Sequence, residues 1–140
     1  MILFCDTSAL VKLYILEVDS DLVQARVAES EAVAVCRIAW AEAHAALSRR
    51  AREVPADGPV IELAKAALAR DWPRFVVMEV SQVLVERAGE YAVTFALRGY
   101  DSVQLAAAFE TGRIAQVPVC FACFDTRLNK AAKVLGMNCL

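Results

Sequence analysis

The sequence predicts an α/β fold: a central, mostly parallel sheet of about five strands with helices on both faces. Three observations carry this. Short apolar runs recur along the chain, each separated from the next by one or two helical stretches, in the order β-α-α-β-α-α-β-α-α-β-α-β. The runs are near-continuously hydrophobic rather than alternating, as strands covered on both faces must be. The 140 residues are 59% hydrophobic and 23% charged, which suits one packed domain spanning residues 1–140 and excludes a disordered chain.

The elements follow in order. Residues 2–5 are an apolar run that reads as a buried strand, and Asp6-Thr7-Ser8 then offers a cap for a helix over 9–16. Ser20 opens a second helix, to about residue 30. Residues 32–36 are strand-like. An Ala- and Leu-rich helix follows over 37–53 and stops near Pro55. A helix over 57–70 carries Pro59 in its first turn. Residues 75–80 form the third strand, and 82–97 a helix with a break expected near Gly89. Asp101 begins a helix over 102–110, stopped by Gly112. Residues 117–124 form the fourth strand, 126–135 a helix closed by Gly136, and 137–140 a short final strand.

Composition narrows the function. Fifteen Lys and Arg against seventeen Asp and Glu give a formal charge of −2, so a globally basic nucleic-acid binder is not indicated. No uncharged apolar stretch of about 18 residues exists, so no membrane span is expected. The N-terminal run lacks basic residues and breaks at Asp6, unlike a signal peptide. The five cysteines (Cys5, Cys36, Cys120, Cys123 and Cys139) are odd in number and sit mostly in apolar runs. They predict buried thiols in a reduced, cytoplasmic protein rather than a disulfide framework. Cys120 and Cys123 fit C-x-x-C but lie within a strand, and a lone histidine leaves a zinc site short of ligands.

The acids carry more information. Asp6 directly follows the first strand and Asp125 the fourth, and the carboxyl ends of strands in an open parallel sheet form its ligand-binding edge. Asp101 begins the helix before the fourth strand. Glu42 lies one turn into the long third helix among apolar neighbours. Taken singly, each aspartate is accounted for as a helix cap, Asp101-Ser102-Val103-Gln104 even fitting a capping box, and Glu42 as a residue reaching solvent. Capping explains neither Glu42 nor two acids aimed at one edge, so the set reads as a site. Clustered carboxylates repel, and a divalent cation relieves them. Oxygen-only ligands suit Mg²⁺ or Mn²⁺, which supports phosphoryl chemistry by polarising oxygens and activating water. His44, two residues from Glu42, projects from another side of its helix and is assigned a structural or surface role, which excludes a Ser-His-Asp arrangement.

These residues resemble the PIN-domain proteins, in particular VapC-type toxins. The similarity runs through Phe4-Cys5-Asp6-Thr7-Ser8-Ala9-Leu10, Trp40-Ala41-Glu42-Ala43, Gly99-Tyr100-Asp101-Ser102-Val103-Gln104 and Phe124-Asp125-Thr126-Arg127. Each motif is short, but the ordered set of four is specific and covers essentially the whole chain. The resemblance implies a three-layer α/β/α sandwich and a metal-dependent endoribonuclease, the toxin of a type II toxin–antitoxin pair. Asp6, Glu42, Asp101 and Asp125 match the family's acidic metal-binding positions, and Ser8 the position that helps order them. It further implies a homodimer and a small antitoxin that wraps the toxin. Two departures stand out: Cys123 replaces the hydroxyl residue common two before the fourth acid, and Gln104 replaces a frequent histidine.

An acidic site repels RNA, so cations must bind the flanking phosphates; Lys12, Arg98 and Arg127 are the nearest candidates. Arg49, Arg50 and Arg52 end a helix, where they favour its dipole. Tyr14, Trp40 and Trp72 are assigned to packing rather than base stacking. Leu10, Leu13, Tyr14, Leu22 and Val23 suggest an apolar dimer or antitoxin surface on the first helices. Two other readings stay open. Asp6 fits the nucleophile of haloacid-dehalogenase-type phosphatases, although Ser8 stands where these need a second Asp. A PIN-like module that binds RNA or a protein without cutting is the alternative that the intact acidic set weighs against.

Overall fold

In a computed structural model describing residues 1–140, β1 (Ile2–Cys5) leads into a short α1 (Thr7–Val11) and then α2 (Ser20–Glu29). β2 (Ala32–Cys36), α3 (Ala39–Glu53), α4 (Gly58–Asp71) and β3 (Val76–Met78) follow. The second half holds α5 (Gln82–Phe95), α6 (Gly99–Ala115), β4 (Val119–Ala122), α7 (Thr126–Val134) and β5 (Asn138–Cys139). The five strands form one sheet in the order β3-β2-β1-β4-β5, and every pair is parallel. The α/β/α reading therefore holds.

Strand alternation builds the layers. Leu3 and Cys5 of β1 face one side, with Leu10, Val23 and Leu68 packed over them. Ile2 and Phe4 face the other, with Leu105, Phe121 and Leu128. α1 to α4 thus cover one face and α5 to α7 the other. The strand order places the site. The chain leaves β1 in one direction through β2 and β3, then returns to the opposite side for β4 and β5. The sheet's switch point lies between β1 and β4, where Cys5 pairs with Ala122. Crevices open at the carboxyl ends of such strands.

Four expectations need correction. The first helix ends at Val11, and residues to Ile15 continue only as turns. α5 runs unbroken through Gly89. Gly112 does not stop α6, which continues to Ala115. A Cβ at Gly112 would meet a Val119 methyl at 3.2 Å, so this glycine lets helix and strand approach. Leu10 and Val23 lie in the core and form no surface; the exposed apolar residues nearby are Leu16, Val18 and Leu22. Gly136, at φ +83°, does close α7 as expected. No disulfide forms, and four of the five thiols are buried. No helix is long and apolar enough to cross a membrane.

Candidate active site

The carboxyl edge at the switch point holds a cavity of about 300 Å³. Asp6, Glu42, Asp101 and Asp125 all line it, carried by four separate elements, together with Arg98 and Gln104. The chain thus brings the four sequence-predicted acids together.

Each acid is held by a local cause. Asp6 caps α1, accepting from the Ala9 N–H at 3.0 Å and from the Ser8 hydroxyl at 2.6 Å. The Ser8 oxygen in turn accepts from the Phe124 N–H at 3.3 Å, which ties the ends of β1 and β4 together. Asp125 caps α7, accepting from the Leu128 N–H at 2.8 Å. Both aspartates are therefore caps and cavity acids at once. Asp101 is no cap: α6 begins at Gly99, behind Arg98 at the cap position, and Asp101 sits in its first turn. There it favours the helix dipole while its carboxylate faces the cavity. Glu42 lies in the first turn of α3. Its Oε1 accepts from the Thr7 hydroxyl and from Gln104 Nε2, both at 2.8 Å. Gln104 Nε2 also reaches the Thr7 oxygen at 3.2 Å. Thr7 was not singled out from the sequence; a hydroxyl adjoining a strand-end acid is the signal that would have found it.

The electrostatics follow. Burial raises the pKa of Asp6, the Ser8, Cys123 and Ala9 contacts lower it, and Asp101 raises it further. Burial also raises Asp101, with Asp125 and Glu42 adding repulsion and Arg98 opposing them. Asp101 thus feels both its acidic neighbours. Cys123, in place of a hydroxyl residue, lies between two acids: its sulfur accepts from the Asp125 N–H at 3.3 Å. Its own pKa is raised by burial and by the nearby Asp6 charge, so it stays a thiol.

The donor set is oxygen-only and carries excess negative charge, which fits a hard divalent cation. No three of the acids converge as a ready-made cage. Mg²⁺ does not require one, because it keeps several waters and takes one or two carboxylates. Of the candidate cations, Arg98 and Arg127 line a side cavity with Asp101 and Asp125, and Arg127 donates to the Ala96 carbonyl at 3.1 Å. Lys12 binds Glu17 at 3.1 Å and the Val18 carbonyl at 2.9 Å, and lies over the Phe124 ring. Arg49 pairs with Glu53, and Arg50 with Glu17 and Asp57. His44 bonds the Trp40 carbonyl at 2.7 Å and stacks on that ring. Trp40 packs in turn on Trp72, while the Tyr14 hydroxyl binds Asp71.

An open parallel α/β protein with a carboxylate cluster at its switch point is the class that fold and site define. The chain belongs to the PIN domain family, whose model matches residues 3–134. It is 35% identical over 139 residues to Ribonuclease VapC45 of Mycobacterium tuberculosis (strain CDC 1551 / Oshkosh), covering 96% of this chain and 92% of the relative. The same figures hold for Ribonuclease VapC49 of strain ATCC 25618 / H37Rv. The fold is similar to that of M. tuberculosis VapC20, described as a Sarcin-Ricin loop cleaving toxin, with a TM-score of 0.66 at 21% identity over 92% of this chain and 94% of that one. It is also similar to a chain of VapBC2 from Rickettsia felis bound to a DNA fragment, at 0.65 and 14% identity over 100% and 98%.

Proposed function

We propose that this chain is a Mg²⁺- or Mn²⁺-dependent endoribonuclease, the toxin of a toxin–antitoxin pair, acting in the cytoplasm as a single PIN-like domain. The observation that carries the reading is the convergence of Asp6, Glu42, Asp101 and Asp125 on one cavity, with Asp101 destabilised as an anion by Asp125 and Glu42. The ribonuclease names of the 35%-identical relatives support it.

In this reading the four acids hold the cation. When bound, the cation supplies Lewis acidity, lowers the pKa of a water molecule and offsets charge on the phosphoryl group. The chain's own residues do the rest. Ser8 orders Asp6, and Thr7 with Gln104 fixes one oxygen of Glu42. Arg98 and Arg127 offer positive charge beside Asp101 and Asp125, where phosphates flanking the cut would lie. Lys12 supports the Phe124 side of the site rather than offering a free ammonium. Leu16 and Val18, 88% and 79% exposed, are the apolar surface that an antitoxin or a second copy would cover.

The test is cleavage of structured RNA with Mg²⁺, with Mn²⁺ and with chelator, beside Asp101→Asn. Cutting that requires the metal and disappears in a folded variant supports the reading. Equal cutting in chelator, or by the variant, sinks it.

A further inference from the structure

A second cavity of about 690 Å³ opens beside the acidic one and shares Glu42, Arg98 and Asp101 with it. This volume lies within the range of about 300–1,000 Å³ usual for small-ligand sites. Its floor is one face of α5: Val85, Ala88, Gly89 and Ala92, spaced one turn apart. Tyr100 and Val103 of α6 form the facing wall, and the Tyr100 ring is 68% exposed.

Gly89 needs a reason. It neither breaks α5 nor permits a close approach within the fold, because a Cβ there would meet nothing within 4 Å. A helix-interior glycine is unfavourable, and alanine would serve α5 better. Its effect is to keep the cavity floor low. The shared rim is polar and cationic. Arg98 stands there, and α6 begins there without a side-chain cap, so the dipole of a 17-residue helix adds positive charge at the seam. Continuity with the acidic cavity and this local positive charge identify the occupant as part of the same phosphate-bearing chain.

We propose that this second cavity receives the base of an unpaired nucleotide adjoining the scissile phosphate. The substrate class is then RNA whose nucleotide at the cut is single-stranded or splayed out of a loop. The proposal rests on the nuclease reading and specifies its substrate. Proteins recognise such nucleotides by holding the splayed base against aromatic and apolar surfaces. The α5 floor is hydrocarbon, and the nearby Ser102 hydroxyl is already bonded to the Arg98 carbonyl at 2.6 Å. The pocket therefore selects an accessible base more than a particular one.

The experiment titrates the full chain, in chelator, with adenosine, guanosine, cytidine and uridine. Ribose 5-phosphate is the baseless control, and backbone amide signals are read by NMR. Gly89→Leu fills the floor and is a better helix former, so its fold is checked by thermal melting. The expected result is shifts at Val85, Gly89, Ala92 and Val103 with all four nucleosides, an affinity roughly tenfold or more above that for ribose 5-phosphate, and loss of binding in the folded variant. Equal response to ribose 5-phosphate, or retained nucleoside binding in Gly89→Leu, overturns it. Shifts that follow protein concentration instead would assign the face to a second copy and overturn it as well. Binding is read here without cleavage, so a failed nuclease reading and a failed base pocket are told apart by the separate cleavage assay.

Discussion

Gln104→Met is expected to leave the fold nearly as stable as before while loosening the site. The side chain is only 3% exposed, and its two oriented groups have opposite effects. Nε2 donates to the Glu42 carboxylate at 2.8 Å, and a hydrogen bond to a charged group contributes about 1.5–3 kcal/mol. Oε1 is buried with no partner, which costs about 1–3 kcal/mol. An apolar side chain of similar volume removes both, and the Thr7 hydroxyl still donates to Glu42. The net change should fall within about 1.5 kcal/mol, a shift in Tm of roughly 5 °C or less for a chain of this length. Glu42 then keeps one anchor instead of two. Losing a group that orients a metal ligand typically costs about 10–100-fold in metal affinity or activity. Calorimetric titration with Mn²⁺ and kcat/KM on a cleavable RNA measure the second effect, and thermal melting the first. A loss above about 3 kcal/mol in stability with metal affinity unchanged would show that Gln104 is a core residue only.

Further predictions concern charge, core and thiols. The pKa of Asp101 is raised from 3.8 by burial and by Asp125 and Glu42, so its ionised form is the one the fold disfavours. With chelator present, wild type should lose stability relative to Asp101→Asn as pH rises from about 3.8 through the raised value, and the gap should shrink when Mg²⁺ is added. A gap independent of pH would refute this. Phe121→Ala, which empties a fully buried site beside Phe4, should cost about 3–5 kcal/mol in urea denaturation; a loss under 1 kcal/mol would contradict the packing described. A thiol reagent should modify Cys139 first in the native protein. The other four cysteines are buried, and burial raises the thiol pKa of all five. Stoichiometric labelling of Cys5 without unfolding would contradict that.

Much of the frame was legible because its signals are local. Apolar runs such as 2–5 and 32–36 can be buried only between two helical layers, and an acid ending such a run must stand at the sheet's carboxyl edge. What was not legible depends on neighbours distant in sequence. Gly112 looks like a stop until Val119 is seen against it. Asp101 looks like a cap until α6 is found to start two residues earlier, which leaves its carboxylate for the cavity. The Thr7–Glu42–Gln104 cluster joins residues 35 and 62 positions apart, and no spacing rule anticipates it. Leu10 and Val23 look like surface on short amphipathic stretches, yet the sheet buries them.

The double duty of Asp6 and Asp125 has a consequence for how this chain can drift. A copy released from selection for activity loses nothing in folding when Asp101 changes, because that carboxylate is strained where it stands. Asp6 and Asp125 are different. Each also satisfies the first N–H groups of a helix, and replacing such a cap with alanine costs about 1 kcal/mol. Silenced descendants should therefore vary freely at position 101, while positions 6 and 125 pass to Asn, Ser or Thr, residues that cap without the charge. A sequence with those substitutions would record lost chemistry within a retained fold.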